Sequence, residues 1–317
     1  MNKLLIVALA LAATVMTIPL GQKVADSLRA GNMTRETRST VLVKITPMKD
    51  QLSSPSAPKQ TSTLNILTLE SKNTYVFRGP VTGESVGDAI KKIAKMSRNL
   101  SKSEVIYLVL DTPGGSIFDG IDFIDFLEGV PQEVRTVTLF AASMGFQIVE
   151  NNPGKRLITR GGTLMSHRAV VSGLEGQFDG ELESRYKMYK RKIDYLEAVD
   201  SNRMSIPVDV YKEKIKPELW VHGFDAQEQN VADEVVLLQC GSTMNGEDTI
   251  KIRTFFGAVS VVFDSCPLIR DPIRIDMSDV RNDAQNFVSN MISEMFSEKT
   301  KFVKDYIVTE KFYKIFP

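Results

Sequence analysis

The feature that most constrains this chain is a continuous apolar run, Val105–Leu110, that stops in Asp-Thr-Pro-Gly-Gly-Ser, Asp111–Ser116. An apolar run of that length predicts a strand covered on both faces. The glycines that end it leave backbone N–H groups bare, because they carry no side chain to cover them. Two more pieces follow: Ala-Ala-Ser-Met-Gly, Ala141–Gly145, after the predicted strand Val134–Leu139, and Leu-Met-Ser-His-Arg-Ala, Leu164–Ala169. Ser143 stands among small residues, so a carbonyl can come close to its hydroxyl. His167 is one of two histidines in the chain. Bare amides, a serine in a small-residue turn and a histidine are the parts of an acyl-transfer site.

The surrounding pattern alternates strands and helices. Leu64–Leu69, Tyr75–Phe77, Arg156–Thr159 and Thr163–Met165 read as strands. Ser85 reads as a helix N-cap with Asp88 completing an S-x-x-D box, followed by Val86, Ala89, Ile90, Ile93 and Ala94 at helical spacing. A second helix carries Ile117, Ile121 and Ile124. A charged third, Leu182 to about Asp200, carries Leu182, Tyr186, Tyr189, Ile193 and Leu196. This order predicts an α/β domain with crossover connections. Beyond it, Thr249–Arg253 and Gly257–Phe263 read as a hairpin, and Val280, Ala284, Phe287, Val288, Met291, Ile292 and Met295 form one helical stripe. Cys240 and Cys266 flank the hairpin: a bridge between them would tie this part to the domain before it, and a free pair is the other reading.

The chain has 317 residues, enough for one large domain with additions. We divide it into a signal peptide or membrane anchor at 1–20, a linker at 21–62, the α/β domain at 63–240 and an extension at 241–317. The first segment is an apolar run, Leu4 to Leu20, behind Lys3. It predicts export or membrane association, with a periplasmic or membrane-anchored location. Lys23, Arg29, Arg35 and Arg38 after the run pull toward the cytoplasmic alternative. In the linker, apolar positions are too few to repay ordering, although Val41–Ile45 has strand character. Thirty-nine basic residues balance 39 acidic ones, so charge gives no reason to expect a nucleic-acid partner. No Cys/His spacing fits a metal, no glycine loop with a lysine fits a nucleotide phosphate, and no cofactor is expected.

Val105–Leu127, with its Gly-Gly turn, resembles the Clp protease proteolytic subunit and its relative, signal peptide peptidase SppA. Ala-Ala-Ser-Met-Gly, then Gly-Lys-Arg and Leu-Met-Ser-His-Arg-Ala, resembles the Clp subunit more closely, and the likeness runs from about Val76 to Val236. The resemblance implies a Clp/crotonase-like fold of repeated β-β-α and β-α units, and a serine endopeptidase acting on peptides or unfolded chains. It implies Ser143 as nucleophile, His167 as base, and the backbone N–H groups of Gly115 and Met144 as oxyanion hole. Where the family has an aspartate as third member, this chain has Glu218, with Asp225 as the alternative and a serine–histidine dyad after that. Glu218 as a mere surface carboxylate stays open as well. His222 reads as a structural histidine. By the same resemblance, the helix from Leu182 corresponds to the handle through which two rings meet, which implies a homo-oligomer; packing on its own domain is the other reading. Two other functions remain: a catalytically inactive Clp-fold scaffold, and a crotonase-type acyl-CoA enzyme that uses the same glycine amides. The serine and histidine together argue against the second.

Overall fold

A computed structural model describes residues 64–170, 177 and 180–296, with side chains up to 293. The readings made for Leu4–Leu20, for the linker, for Val41–Ile45 and for Met295 as part of the stripe lie outside what is described.

The strands are β1 Asn65–Leu69, β2 Thr74–Arg78, β3 Val105–Thr112, β4 Glu133–Ala142, β5 Arg156–Ser166, β6 Leu219–His222 and β7 Glu234–Cys240. They form one sheet in the order β1-β7-β5-β4-β3-β2, parallel throughout, with β6 added antiparallel to β5. Between them lie α1 Gly83–Asn99, α2 Ile117–Glu128, α3 Met144–Asn151, α4 Glu181–Arg203, α5 Val208–Lys214 and α6 Gly223–Glu228. This is the α/β architecture that the alternating pattern predicts.

Both faces of the sheet are buried, as the unbroken apolar run in β3 requires. Ile106, Leu108 and Leu110 pack with Val86, Ala89 and Ile93 of α1, Phe123 and Leu127 of α2, and Phe146 and Val149 of α3. Val109, on the other face, packs with Leu69, Val137, Leu139, Leu157 and Val236.

Three sequence readings need correction. Helix α1 starts earlier than expected: Thr82 is the N-cap, and Ser85 is the third helical residue. Thr82 Oγ1 accepts from Ser85 N–H while Ser85 Oγ accepts from Thr82 N–H, so the capping box closes with serine instead of Asp88. The two strands expected at Arg156–Thr159 and Thr163–Met165 are one, β5, which changes partners midway. Leu157–Thr159 pair with β7, and Thr163–Ser166 pair with β6. Opposite the change, the register against β4 shifts between Thr138 and Phe140. In α4, only Leu196 of the five apolar positions is buried: Tyr186 is exposed, Leu182, Tyr189 and Ile193 are half-buried, and Asp200 and Ser201 near the helix end are the other buried residues.

The extension builds a small antiparallel sheet, β8 Glu247–Thr254, β9 Gly257–Asp264 and β10 Arg274–Asp276, with α7 Gln285–Phe296 beside it. Ile252, Val259, Val261 and Phe263 pack there with Val280, Ala284, Val288 and Ile292. Phe287, expected in that stripe, is exposed, because the buried positions follow the 280, 284, 288, 292 row. Cys240 at the end of β7 is disulfide-bonded to Cys266, with Cα atoms 5.8 Å apart. Near that joint, Arg270 Nη2 donates to Asp111 Oδ1 at 2.8 Å, and Arg78 Nη2 donates to the Ile269 carbonyl at 3.1 Å.

Candidate active site

The glycine turn, Ser143 and His167 follow the carboxyl ends of β3, β4 and β5, three neighbouring parallel strands. In open α/β sheets that edge is where ligands bind.

Ser143 fills the single position between β4 and α3, with φ 54° and ψ −117°. A non-glycine residue in such a conformation costs on the order of 1–3 kcal/mol and persists only where its surroundings enforce it. Its N–H donates to the Met165 carbonyl of β5 at 2.9 Å, and the buried Met144 and Gly145 follow immediately. The sharp strand-to-helix turn lifts the side chain off the strand end. Ser143 Oγ stands 2.9 Å from His167 Nε2. Both residues are half-buried. Burial pushes the His167 imidazole below its ordinary range, opposed by the charge of Glu218 and by a backbone hydrogen bond with Arg168. At neutral pH the ring is therefore neutral and able to accept the serine proton.

Gly114 and Gly115 have φ of 91° and 150°, which other residues rarely adopt. A Cβ on Gly114 would stand 2.7 Å from both Met144 N and Ser143 Cβ, so the turn abuts the serine elbow. Val81 brackets the turn: its N–H donates to the Gly114 carbonyl, and its carbonyl accepts from Ser116 N–H. Among the described residues, the amides of Gly115 and Met144 have no acceptor. They are free to serve a developing oxyanion, whereas the Ser143 amide is occupied.

Glu218 comes to His167 through strand register. The ladder ends with Ser166 paired to Leu219, and His167 and Glu218 are the residues that adjoin that last pair on the two strands. Glu218 has φ 75°, is exposed, and its Oε2 accepts from Trp220 Nε1 at 2.9 Å. Its charge reaches His167, but the structure shows no direct hydrogen bond between the two side chains. Asp225 is not brought to the site. It lies past the opposite end of β6, its Oδ2 3.5 Å from His222 Nε2, with both side chains exposed. His222 thus has a surface carboxylate as its neighbour.

Sequence reasoning missed a buried polar cluster behind this pair. Asp200 of α4, fully buried, accepts from Gln147 Nε2 of α3 at 2.6 Å and from the Tyr211 hydroxyl of α5 at 2.5 Å. Tyr211 in turn meets Ser166 Oγ at 2.8 Å. Burial raises the Asp200 carboxyl to about 7, against the hydrogen bonds of Tyr211, Gln147 and Asn151. The signal was present: Asp200 falls four residues after Leu196 on the same face of α4, a carboxylate in an apolar row. No group of three or more His, Cys, Asp or Glu side chains that could hold a metal occurs among the described residues.

The Clp protease family model matches residues 59–238 of this chain. The chain belongs to the Clp protease family. It is 30% identical over 167 residues to ATP-dependent Clp protease proteolytic subunit 1 of Chlamydia caviae, covering 50% of this chain and 84% of that protein. The subunit 1 of Chlamydia muridarum is 31% identical over 175 residues, covering 53% and 88%. The proteolytic subunit of Chaetosphaeridium globosum is 26% identical over 164 residues, covering 51% and 81%. The family match ends at residue 238, before the extension. Among the described residues, no helix is long and apolar enough to cross a membrane.

Proposed function

We propose that this Clp-family chain is a serine endopeptidase that cleaves peptides or unfolded chains through an acyl-enzyme. The observation that carries the reading is the 2.9 Å contact between Ser143 Oγ and His167 Nε2 at a strained strand-to-helix turn. Ser143 Oγ attacks the scissile carbonyl carbon as its proton passes to His167 Nε2. The carbonyl oxygen becomes an oxyanion facing the Gly115 and Met144 amides, each such donor contributing on the order of 3–4 kcal/mol to the transition state. The tetrahedral intermediate collapses, the C–N bond breaks, and the amine leaves with the proton from His167. Water, deprotonated by His167, then releases the acyl group from Ser143. Glu218 stabilises the imidazolium in both halves.

A fluorophosphonate probe tests this. The expected result is covalent labelling at Ser143 alone, abolished in Ser143→Ala and in His167→Ala, with peptide cleavage lost in parallel. A folded protein that takes no label would favour the inactive scaffold; labelling that survives His167→Ala would break the pairing.

The exposed Tyr186, Met188 and Tyr195 of α4 support a homo-oligomer, which sedimentation of the same sample reads directly. The apolar run Leu4–Leu20 supports work outside the cytoplasm, on substrates that arrive without an ATP-driven unfoldase. Fusing residues 1–62 to a reporter active only after export should give signal. A silent reporter, with cleavage that needs an added ATPase, would place the protein in the cytoplasm.

A further inference from the structure

We infer that Asp200 is a positioning residue: it fixes the Ser143–His167 hydrogen bond by holding, from one buried carboxylate, the segments that carry both partners. This rests on the reading of Ser143 and His167 as the reacting pair.

The connection is short on either side. Gln147 lies one helical turn beyond Ser143 in α3, and Asn151 lies one turn further on. Gln147 Nε2 donates to Asp200 Oδ2 at 2.6 Å, and Asn151 Nδ2 donates to Oδ1 at 3.3 Å. The helix that begins at the nucleophile is thereby fixed in rotation about its axis. On the other side, Tyr211 has one hydroxyl proton, which it gives to Asp200 Oδ2 at 2.5 Å. Tyr211 also meets Ser166 Oγ, 2.8 Å away. Ser166 is the last residue of β5, and the next residue is His167. The chain Ser166 to Tyr211 to Asp200 therefore ends on the carboxylate that also holds α3.

Tyr211 adds a third connection. It lies in α5, and Ile215 of the same segment accepts from Glu218 N–H through its carbonyl at 3.3 Å. One carboxylate thus reaches the nucleophile's helix directly, the base's strand through one tyrosine, and the approach to Glu218 through the helix carrying that tyrosine. All the groups in the chain are shielded: Asp200 and Tyr211 have no exposure, and Ser166 is 1% exposed. Without water to stand in for a lost partner, cutting any link leaves a buried polar group unpaired and lets the two segments drift. None of these side chains hydrogen-bonds to the side chain of Ser143 or His167, so they act on the pair only through the segments that carry it. The expected effect therefore falls on the rate of the chemical step, and substrate binding is spared.

The test uses the full chain and three cuts of different size: Asp200→Asn, Tyr211→Phe and Ser166→Ala. Readouts are kcat and KM on a fluorogenic peptide, the rate of fluorophosphonate labelling at Ser143, and the melting temperature. Displacement of a reacting group by about 1 Å can cost roughly 10²-fold, so Tyr211→Phe and Asp200→Asn should each lower kcat by roughly 10- to 100-fold. KM should stay within about twofold, and labelling should slow in step with kcat. Since both cut the same link, the double variant should be little worse than either single one, a coupling that a sum of two independent stability losses does not produce. Val236→Ala, in the separate core on the other face of the sheet, serves as control: it should lower the melting temperature without this fall in kcat. A wild type that labels at Ser143, with Tyr211→Phe and Ser166→Ala folded and labelling at the wild-type rate, overturns this inference alone. So does a control whose kcat falls as far as theirs at equal loss of melting temperature. A wild type that does not label at Ser143 overturns the peptidase reading, and this one with it.

Discussion

The two sides of His167 are built differently. Toward Ser143, the ring meets a serine whose backbone is held by β5, whose helix is fixed by Asp200, and whose neighbours are buried. Toward Glu218, it meets an exposed carboxylate at the end of a four-residue strand, already engaged by Trp220 Nε1. The first side is preorganised; the second is a charge at the rim. On the proposed mechanism, the difference implies that proton transfer between serine and histidine is set by geometry fixed in the protein, not by the rim. Glu218, if it is the third member, would act mainly through its field, which water weakens.

The largest effect that can break this comparison is the loss of Glu218. Removing a buried orienting carboxylate can cost about 10⁴ in kcat. For an exposed one we expect Glu218→Gln to cost roughly 10- to 100-fold, and Asp225→Asn, at the other end of β6, to leave kcat within about twofold. A loss near 10⁴ in Glu218→Gln would show that the carboxylate swings onto the imidazole when substrate binds. A greater loss in Asp225→Asn than in Glu218→Gln would move the third role across β6.

A smaller effect sharpens the same point. Burial depresses the His167 pKa, and only the neutral ring can take the serine proton. The acid limb of kcat/KM should therefore lie below about 6.5, the ordinary histidine value. Glu218 favours the protonated ring, so removing its charge lowers the histidine pKa further. The limb in Glu218→Gln should then move to lower pH than in the wild type. A limb that stays in place would mean that Glu218 has no electrostatic hold on the ring.

Much of this was legible in the chain. The apolar run Val105–Leu110, the glycine turn and Ser143 each announce themselves locally, because strand burial on two faces and a tight turn select residue types at those very positions. The strand pairing that brings Glu218 within electrostatic reach of His167 was not legible. It depends on β6 pairing with only the second half of β5, and a partner change within a strand leaves no periodic trace. The capping box was misplaced because Ser85-Val-Gly-Asp carries the usual acidic pattern, whereas the box that forms, Thr82 with Ser85, closes on a serine that the pattern does not call for. Asp200 was hidden by the habit of reading a charge on a charged helix as solvated. Its burial comes from Gln147, Asn151 and Tyr211, which the chain supplies from two other helices.

The pairing of β1 with β7 has a consequence in time. Asn65 lies opposite Val236, and Leu69 lies opposite Cys240, so among the described residues the first strand of the sheet finds its one strand partner in the last. During synthesis β2 through β5 can assemble as each emerges, while β1 must wait for nearly all of the catalytic domain with its hydrogen-bonding edge unsatisfied. Such long-range closure is slow, and it comes late. The disulfide at Cys240 joins the extension to the very residue with which that closure ends. Folding of this protein should thus have a vulnerable interval that finishes only when β7 arrives, and a nascent chain stopped before residue 234 would carry an open strand with nothing to pair it.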